Sequence, residues 1–129
     1  MKKRIALLLL AVMLLTACGQ AAKNQQEAVY LNITAEEAKK IMDSEEGYVI
    51  LDVRTREEYD QGHIPGAVLI PNTEIAARAE DELTDKSQLI LVYCRSGRRS
   101  KLAAEELVAL GYTNIREFGG IIDWPYEVE

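Results

Sequence analysis

Leu89-Ile90-Leu91-Val92-Tyr93 is an uninterrupted apolar run, and only a short turn opening at Cys94 separates it from a helical pattern that ends near Leu110. A strand that is apolar on both faces must be covered on both faces, which a sheet with one solvated side does not require. Tyr48-Val49-Ile50-Leu51, ending at Asp52, reads in the same way. Strands of this kind lie side by side when helices cross over them, so the chain is constrained to an α/β architecture around a parallel sheet.

The remaining signals fit that frame. Tyr30 to Ile33 reads as a short strand, and Thr34 with Glu37 makes a capping box for a helix to about Asp43. Thr55 with Glu58 makes a second box for a short helix that Gly62 ends. Val68-Leu69-Ile70 is a strand stopped by Pro71; Asn72 or Thr73 is expected to cap a helix to about Glu82. A helix from Ser100 to Leu110 and a last strand from Asn114 to Phe118 follow, then Gly119-Gly120 and a helical turn near Trp124.

The N-terminus has a different character. Lys2, Lys3 and Arg4 precede an apolar stretch, Ile5 to Leu15, of secretory rather than membrane-spanning length. Residues 1–17 are expected to be a signal peptide outside the fold. Leu15-Thr16-Ala17-Cys18 resembles the bacterial lipobox, which implies a lipidated Cys18, a membrane anchor and an extracytoplasmic location at the cell surface or periplasmic face. Residues 18–29 then form a polar tether that holds a domain of residues 30–129 roughly 20 Å from the lipid.

Charge and cysteine usage narrow the function. The chain carries 15 basic and 21 acidic residues, and loss of the signal removes three of the cations, so nucleic acid is an unsuitable partner. Of two cysteines, Cys94 alone stays a thiol once Cys18 is acylated, which excludes a disulfide scaffold and leaves a thiol-disulfide redox role without a resolving cysteine. His63 is the sole histidine, so neither a zinc site nor a Cys-His dyad is supported.

Cys94-Arg95-Ser96-Gly97-Arg98-Arg99-Ser100 places a thiol at a strand-to-helix turn among three arginines. Such a turn aims backbone N–H groups and the positive end of a helix dipole at one point, which suits an anion. Sulfur acts as a nucleophile in its thiolate form, and an ordinary thiol is only a few per cent ionised at neutral pH. A helix N-terminus contributes about 0.3–1 kcal/mol, up to about 2 when partly buried, so N–H groups of residues 95–100 and guanidinium groups must supply the rest. Arg99 is the first candidate for a side chain tied into the loop or anion site. Arg95 and Arg98 are expected on the rim, attracting anions. Gly97 suits a loop that needs a positive φ or a close approach. Asp52 and Arg54, at the end of the neighbouring strand, are expected to tie loops together, with contact to substrate as the alternative.

Leu51-Asp52-Val53-Arg54 with Glu57 and Tyr59, Gly62-His63-Ile64-Pro65-Gly66-Ala67, Cys94 with Gly97 and Arg99-Ser100, and Gly119-Gly120 with Trp124 occur in the order and spacing of a known family. Over residues 30–125 the chain resembles a single-domain rhodanese. The resemblance implies a rhodanese-like, five-stranded parallel sheet flanked by helices and a catalytic Cys94 alternating between thiolate and persulfide. It implies a small anionic donor such as thiosulfate and a thiol or cyanide acceptor. No metal or cofactor is expected, and the expected assembly is a monomer. His63 is expected to satisfy backbone groups in its turn. The rival readings are a rhodanese-like phosphatase or arsenate reductase, which resembles Cys followed by five residues and then Arg, and a non-catalytic surface-anchored binding module. Here the sixth position after Cys94 is Ser100, and arginine falls one residue early at Arg99, so the loop favours sulfur.

The lipobox carries a direct test. Metabolic labelling with a fatty-acid probe should mark the wild-type chain and fail on Cys18→Ala, which should accumulate as precursor; unchanged labelling would show that Cys18 is not the acylated residue.

Overall fold

The computed structural model describes residues 29–129, so the signal peptide, Cys18 and nearly all of the tether expected above lie outside the described residues. Five strands, β1 (Leu31–Asn32), β2 (Val49–Asp52), β3 (Val68–Leu69), β4 (Ile90–Cys94) and β5 (Ile115–Gly120), form one parallel sheet in the order β1-β5-β4-β2-β3. Four helices connect them: α1 (Ala35–Ser44), α2 (Arg56–Asp60), α3 (Ile75–Glu82) and α4 (Arg98–Ala109). The expected α/β fold is the one observed.

Alternation along the central strands assigns each side chain to a face. Ile90, Val92 and Cys94 of β4 join Leu51, Ile115 and the inward residues of α3 and α4, including Ala79, Ala103, Ala104 and Leu107. Leu91 and Tyr93 point the other way, into a second core with Ile50, Ala38 of α1, Ile64, Phe118 and Trp124. The thiol therefore belongs to the α4 face. Ser100, Ala103, Ala104 and Leu107 recur at helical spacing and are all buried, which sets Ser100 at the upper end of the same apolar stripe.

Both predicted capping boxes form: Thr34 with Glu37 opens α1, and Thr55 with Glu58 opens α2. Several boundaries differ from the sequence reading. The Asn72 N–H is committed to the Val53 carbonyl at 2.9 Å, so Asn72 still belongs to the strand connection; Asn72–Glu74 form a 3-10 turn, and neither Asn72 nor Thr73 caps α3. Helix α4 starts at Arg98, two residues early, because Gly97 at φ 103° turns the chain straight into it. Strand β5 runs on through Gly119-Gly120, since Gly120 pairs with Cys94 across a local register shift.

A polar node holds β2, β4 and the Gly62–Ala67 turn together. Asp52, fully buried, accepts from the Arg54 backbone N–H at 2.9 Å, from its Nε at 3.0 Å and from its Nη2 at 2.6 Å. Tyr93 Oη donates to Asp52 Oδ2 at 2.7 Å and accepts from the Ile64 N–H at 3.1 Å. Burial, then the bond to Asp52, pushes the Tyr93 phenol far above its usual range, so it remains a donor. Tyr93→Phe should leave an N–H and a carboxylate short of a partner in a dry site and cost roughly 2 kcal/mol. Urea unfolding of the two proteins measures this; equal midpoints would show that water replaces the hydroxyl.

Candidate active site

β4 delivers Cys94 to the floor of the turn, where the residue is only 1% exposed. The chain then wraps over the sulfur. Gly97 N–H donates to Sγ at 3.0 Å, and Ser100 Oγ lies 3.3 Å from Sγ on the other side. No side chain caps α4, so its first-turn N–H groups face the loop without a competing carboxylate or hydroxyl cap. An anion at this point meets oriented dipoles whose alignment requires no reorganisation.

Two glycines make the wrap possible. Gly97 adopts the left-handed conformation that costs other residues energy. A Cβ at Gly120 would meet the Arg95 carbonyl oxygen at 1.9 Å, so the loop backbone rests directly on β5.

The arginines separate into two kinds. Arg99 is tied down: Nη1 and Nη2 reach Glu58 Oε1 and Oε2 at 2.6 and 2.8 Å, a bidentate pair that fastens the first turn of α4 to α2. Arg54, beyond its bonds to Asp52, donates to the Gly62 carbonyl at 2.7 Å and so closes the loop after α2. Arg95, Ser96 and Arg98 are exposed on the rim. A cleft of about 280 Å³ opens beside the loop, lined by Arg54, Glu58, Gln61, Arg95, Ile121 and Ile122. Arg54 therefore shows a face to this cleft while Asp52 stays beneath it.

His63 lies outside the loop. Its ring stacks on Tyr59 at 3.7 Å, Nδ1 is 3.0 Å from the Tyr59 carbonyl, and its backbone pairs with Glu129. Phe118 and Trp124 pack in the core behind β4.

Sequence reasoning missed Glu117. Its residue is 2% exposed, and Oε1 accepts from Ser100 Oγ at 2.6 Å and from the Gly119 N–H at 2.8 Å. The available signal was alternation, because a residue two after the buried Ile115 points to the same face.

This arrangement is a buried thiol that accepts from the Gly97 N–H just ahead of the first turn of α4, and comparison with known proteins gives its family. Residues 34–125 match the rhodanese-like domain. The chain belongs to the rhodanese-like domain family. It is 41% identical over 98 residues to a putative sulfur carrier protein, YrkF, of Bacillus subtilis, covering 75% of this chain and 52% of that protein. It is 41% identical over 73 residues to the thiosulfate sulfurtransferase PspE of Escherichia coli, covering 57% of this chain and 70% of that one. The chain thus spans about half the length of the first relative. Among solved structures, the Alr3790 protein from Anabaena superposes with a TM-score of 0.70 at 31% identity, covering 75% of this chain and 90% of that one. A rhodanese with anions from Escherichia coli gives 0.60 at 36%, covering 64% and 96%.

The Arg99–Glu58 pair makes the loop's support sensitive to acid. The guanidinium holds the Glu58 carboxyl at about 2, below its ordinary 4.5, against an opposing push from burial. A depressed carboxylate contributes stability that is complete above its unfolded value and is lost as pH falls through the folded one. Glu58→Gln should lower unfolding free energy by about 1–2 kcal/mol at neutral pH, allowing for partial solvent screening. That deficit should shrink between about pH 4.5 and pH 2. Chemical denaturation at several pH values checks it; a deficit independent of pH would show that packing, not charge, carries the pair.

Proposed function

We propose that the protein moves sulfane sulfur from a small anionic donor such as thiosulfate to cyanide or a small thiol through a persulfide on Cys94. The observation that carries this reading is the single sulfur on the floor of a short loop, 3.0 Å from the Gly97 N–H, beneath the exposed cations Arg95 and Arg98. The Cys94 thiolate attacks the outer sulfur of thiosulfate, the S–S bond of the donor breaks, and sulfite leaves with the electron pair. The resulting persulfide anion stays beside the Gly97 N–H and the uncapped first turn of α4. The acceptor then attacks the outer sulfur, and the Cys94 thiolate returns. Rim arginines draw anionic donors through a field that salt screens over about 10 Å at 0.1 M. The name of the Escherichia coli relative supports this donor.

The oxyanion chemistry of the rival reading wants a guanidinium closing a wider ring over the sulfur. Arg99 instead spends both nitrogens on Glu58, and the position beyond it is the Ser100 hydroxyl. We propose further that transfer occurs outside the cytoplasm, at the cell surface or the periplasmic face of a bacterial membrane, through the anchor read at Cys18, with a monomer acting alone.

Intact mass after exposure to thiosulfate should show one added sulfur, confined to Cys94 and absent in Cys94→Ser, which should also lose thiocyanate formation. Hydrolysis of aryl phosphates without sulfur transfer would replace this reading with the phosphatase one.

A further inference from the structure

Three carboxylates surround the Cys94 loop, and two have a guanidinium partner: Asp52 is held by Arg54 and Glu58 by Arg99. Glu117 is different. It is buried on β5, and among the described residues no cation lies within ion-pair distance of it; its partners are the Ser100 hydroxyl and the Gly119 N–H. Ser100 Oγ in turn contacts Cys94 Sγ at 3.3 Å. One hydroxyl proton has to choose among Glu117 Oε1 at 2.6 Å, the Gly97 carbonyl at 3.1 Å and the Gly119 carbonyl at 3.4 Å. The short contact to a carboxylate wins. Ser100 then presents a lone pair to the sulfur and accepts from the thiol S–H.

We propose that Glu117 is the proton acceptor for Cys94, acting through Ser100. The thiol proton moves to Ser100 Oγ as the Ser100 proton moves to Glu117 Oε1. The sulfur becomes a thiolate, the carboxylate becomes a carboxylic acid, and the net charge of the trio does not change. Ser100 now donates to the sulfur and Glu117 donates to Ser100, so the hydrogen bonds follow the negative charge. A thiolate and a carboxylate this close in a buried site disfavour each other, and sharing one proton removes that repulsion. Sulfur transfer returns a thiolate, so Glu117 keeps its proton from one turnover to the next. This role rests on the sulfur-transfer reading only for its use; the proton path itself rests on the geometry.

Other charges near the path are placed differently. Arg99, on α4, lies towards both Cys94 and the Arg54–Asp52 pair at the end of β2, Glu58 faces Arg99 from α2, and Tyr30 lies towards both Glu105 and Glu117. Arg95 and Arg98 are on the rim, and Arg116 alternates to the opposite side of β5 from Glu117. Among the described residues, none of these side chains bonds to Ser100 Oγ.

The test is the rate of iodoacetamide labelling of Cys94 in the full-length protein, read on the tryptic peptide Ser87–Arg95 from about pH 5 to about pH 9. Glu117→Gln keeps an oxygen for Ser100 and Gly119 but cannot take the proton. It should slow labelling about tenfold near pH 6.5 and move the profile to the alkaline side, with the high-pH rate retained. Ser100→Ala should do the same, Ser100→Thr should restore the wild-type profile, and the double variant should be no slower than either single one. An unchanged profile in Glu117→Gln overturns the proposal, and so does an acid shift, since removing a repelling carboxylate alone predicts that direction. If Glu117→Gln does not fold, the Ser100 pair decides: equal profiles for Ala and Thr overturn it. Labelling needs no sulfur donor, so failure of the transfer reaction and failure of the proton path give separate results.

Discussion

A Cβ at position 120 would lie 1.9 Å from the Arg95 carbonyl oxygen, so the descent of the Cys94 loop onto β5 depends on the one residue type that has none. The consequences spread outward from that contact. With the Arg95–Ser96 backbone resting on β5, Gly97 comes over the sulfur and its N–H reaches Sγ at 3.0 Å. The same descent starts α4 at Arg98, which brings Ser100 round to the inward face above Ala103 and Ala104. Sulfur, loop N–H groups and the Ser100 hydroxyl are therefore positioned by the absence of a single side chain on the neighbouring strand.

The loop also needs supports from outside, because a wrap of seven residues has little apolar surface of its own. These supports are electrostatic and come from the β2 side. Asp52, Arg54 and Tyr93 join the ends of β2 and β4 to the turn before β3, with Asp52 and Tyr93 as register partners. Glu58 and Arg99 join α2 to the first turn of α4. The buried Asp52–Arg54 pair is weak evidence for net stability, but breaking one partner leaves an uncompensated charge, so the geometry is fixed even where the energy gained is small. Arginine suits both positions since its planar fork sets direction as well as charge.

The order of strands and helices was legible because each element announces itself locally. Thr34 with Glu37 and Thr55 with Glu58 place helix starts within three residues, and β4 declares its burial by lacking any polar alternation. What was not legible depends on contacts distant in sequence. The start of α4 was read two residues late, since Gly97 offers no capping side chain and its conformation is set by the loop's landing on β5. Asn72 reads as a cap, but its N–H is claimed by Val53. Glu117 was passed over because an acidic residue in a short strand ordinarily marks a solvated face; only the pairing of β5 beside β4 buries it under Ser100. Arg99 was singled out as a tied side chain, yet its partner across the fold, 41 positions away, could not be read from spacing.

Charge around the sulfur is arranged so that each of three acids has one means of compensation. Asp52 is matched by Arg54, and Glu58 by Arg99. Among the described residues Glu117 has only neutral donors, Ser100 Oγ and Gly119 N–H, and its Oε1 lies about 4.0 Å from where a Cβ on Gly97, just before α4, would be. Oriented N–H dipoles at a helix start amount to about half a positive charge, well short of what two anions in the same dry volume require. An anionic sulfur and an anionic Glu117 would therefore compete for one set of dipoles, and the proposed relay relieves that competition. In that relay the proton passes through the one hydroxyl that touches both groups, Ser100 Oγ.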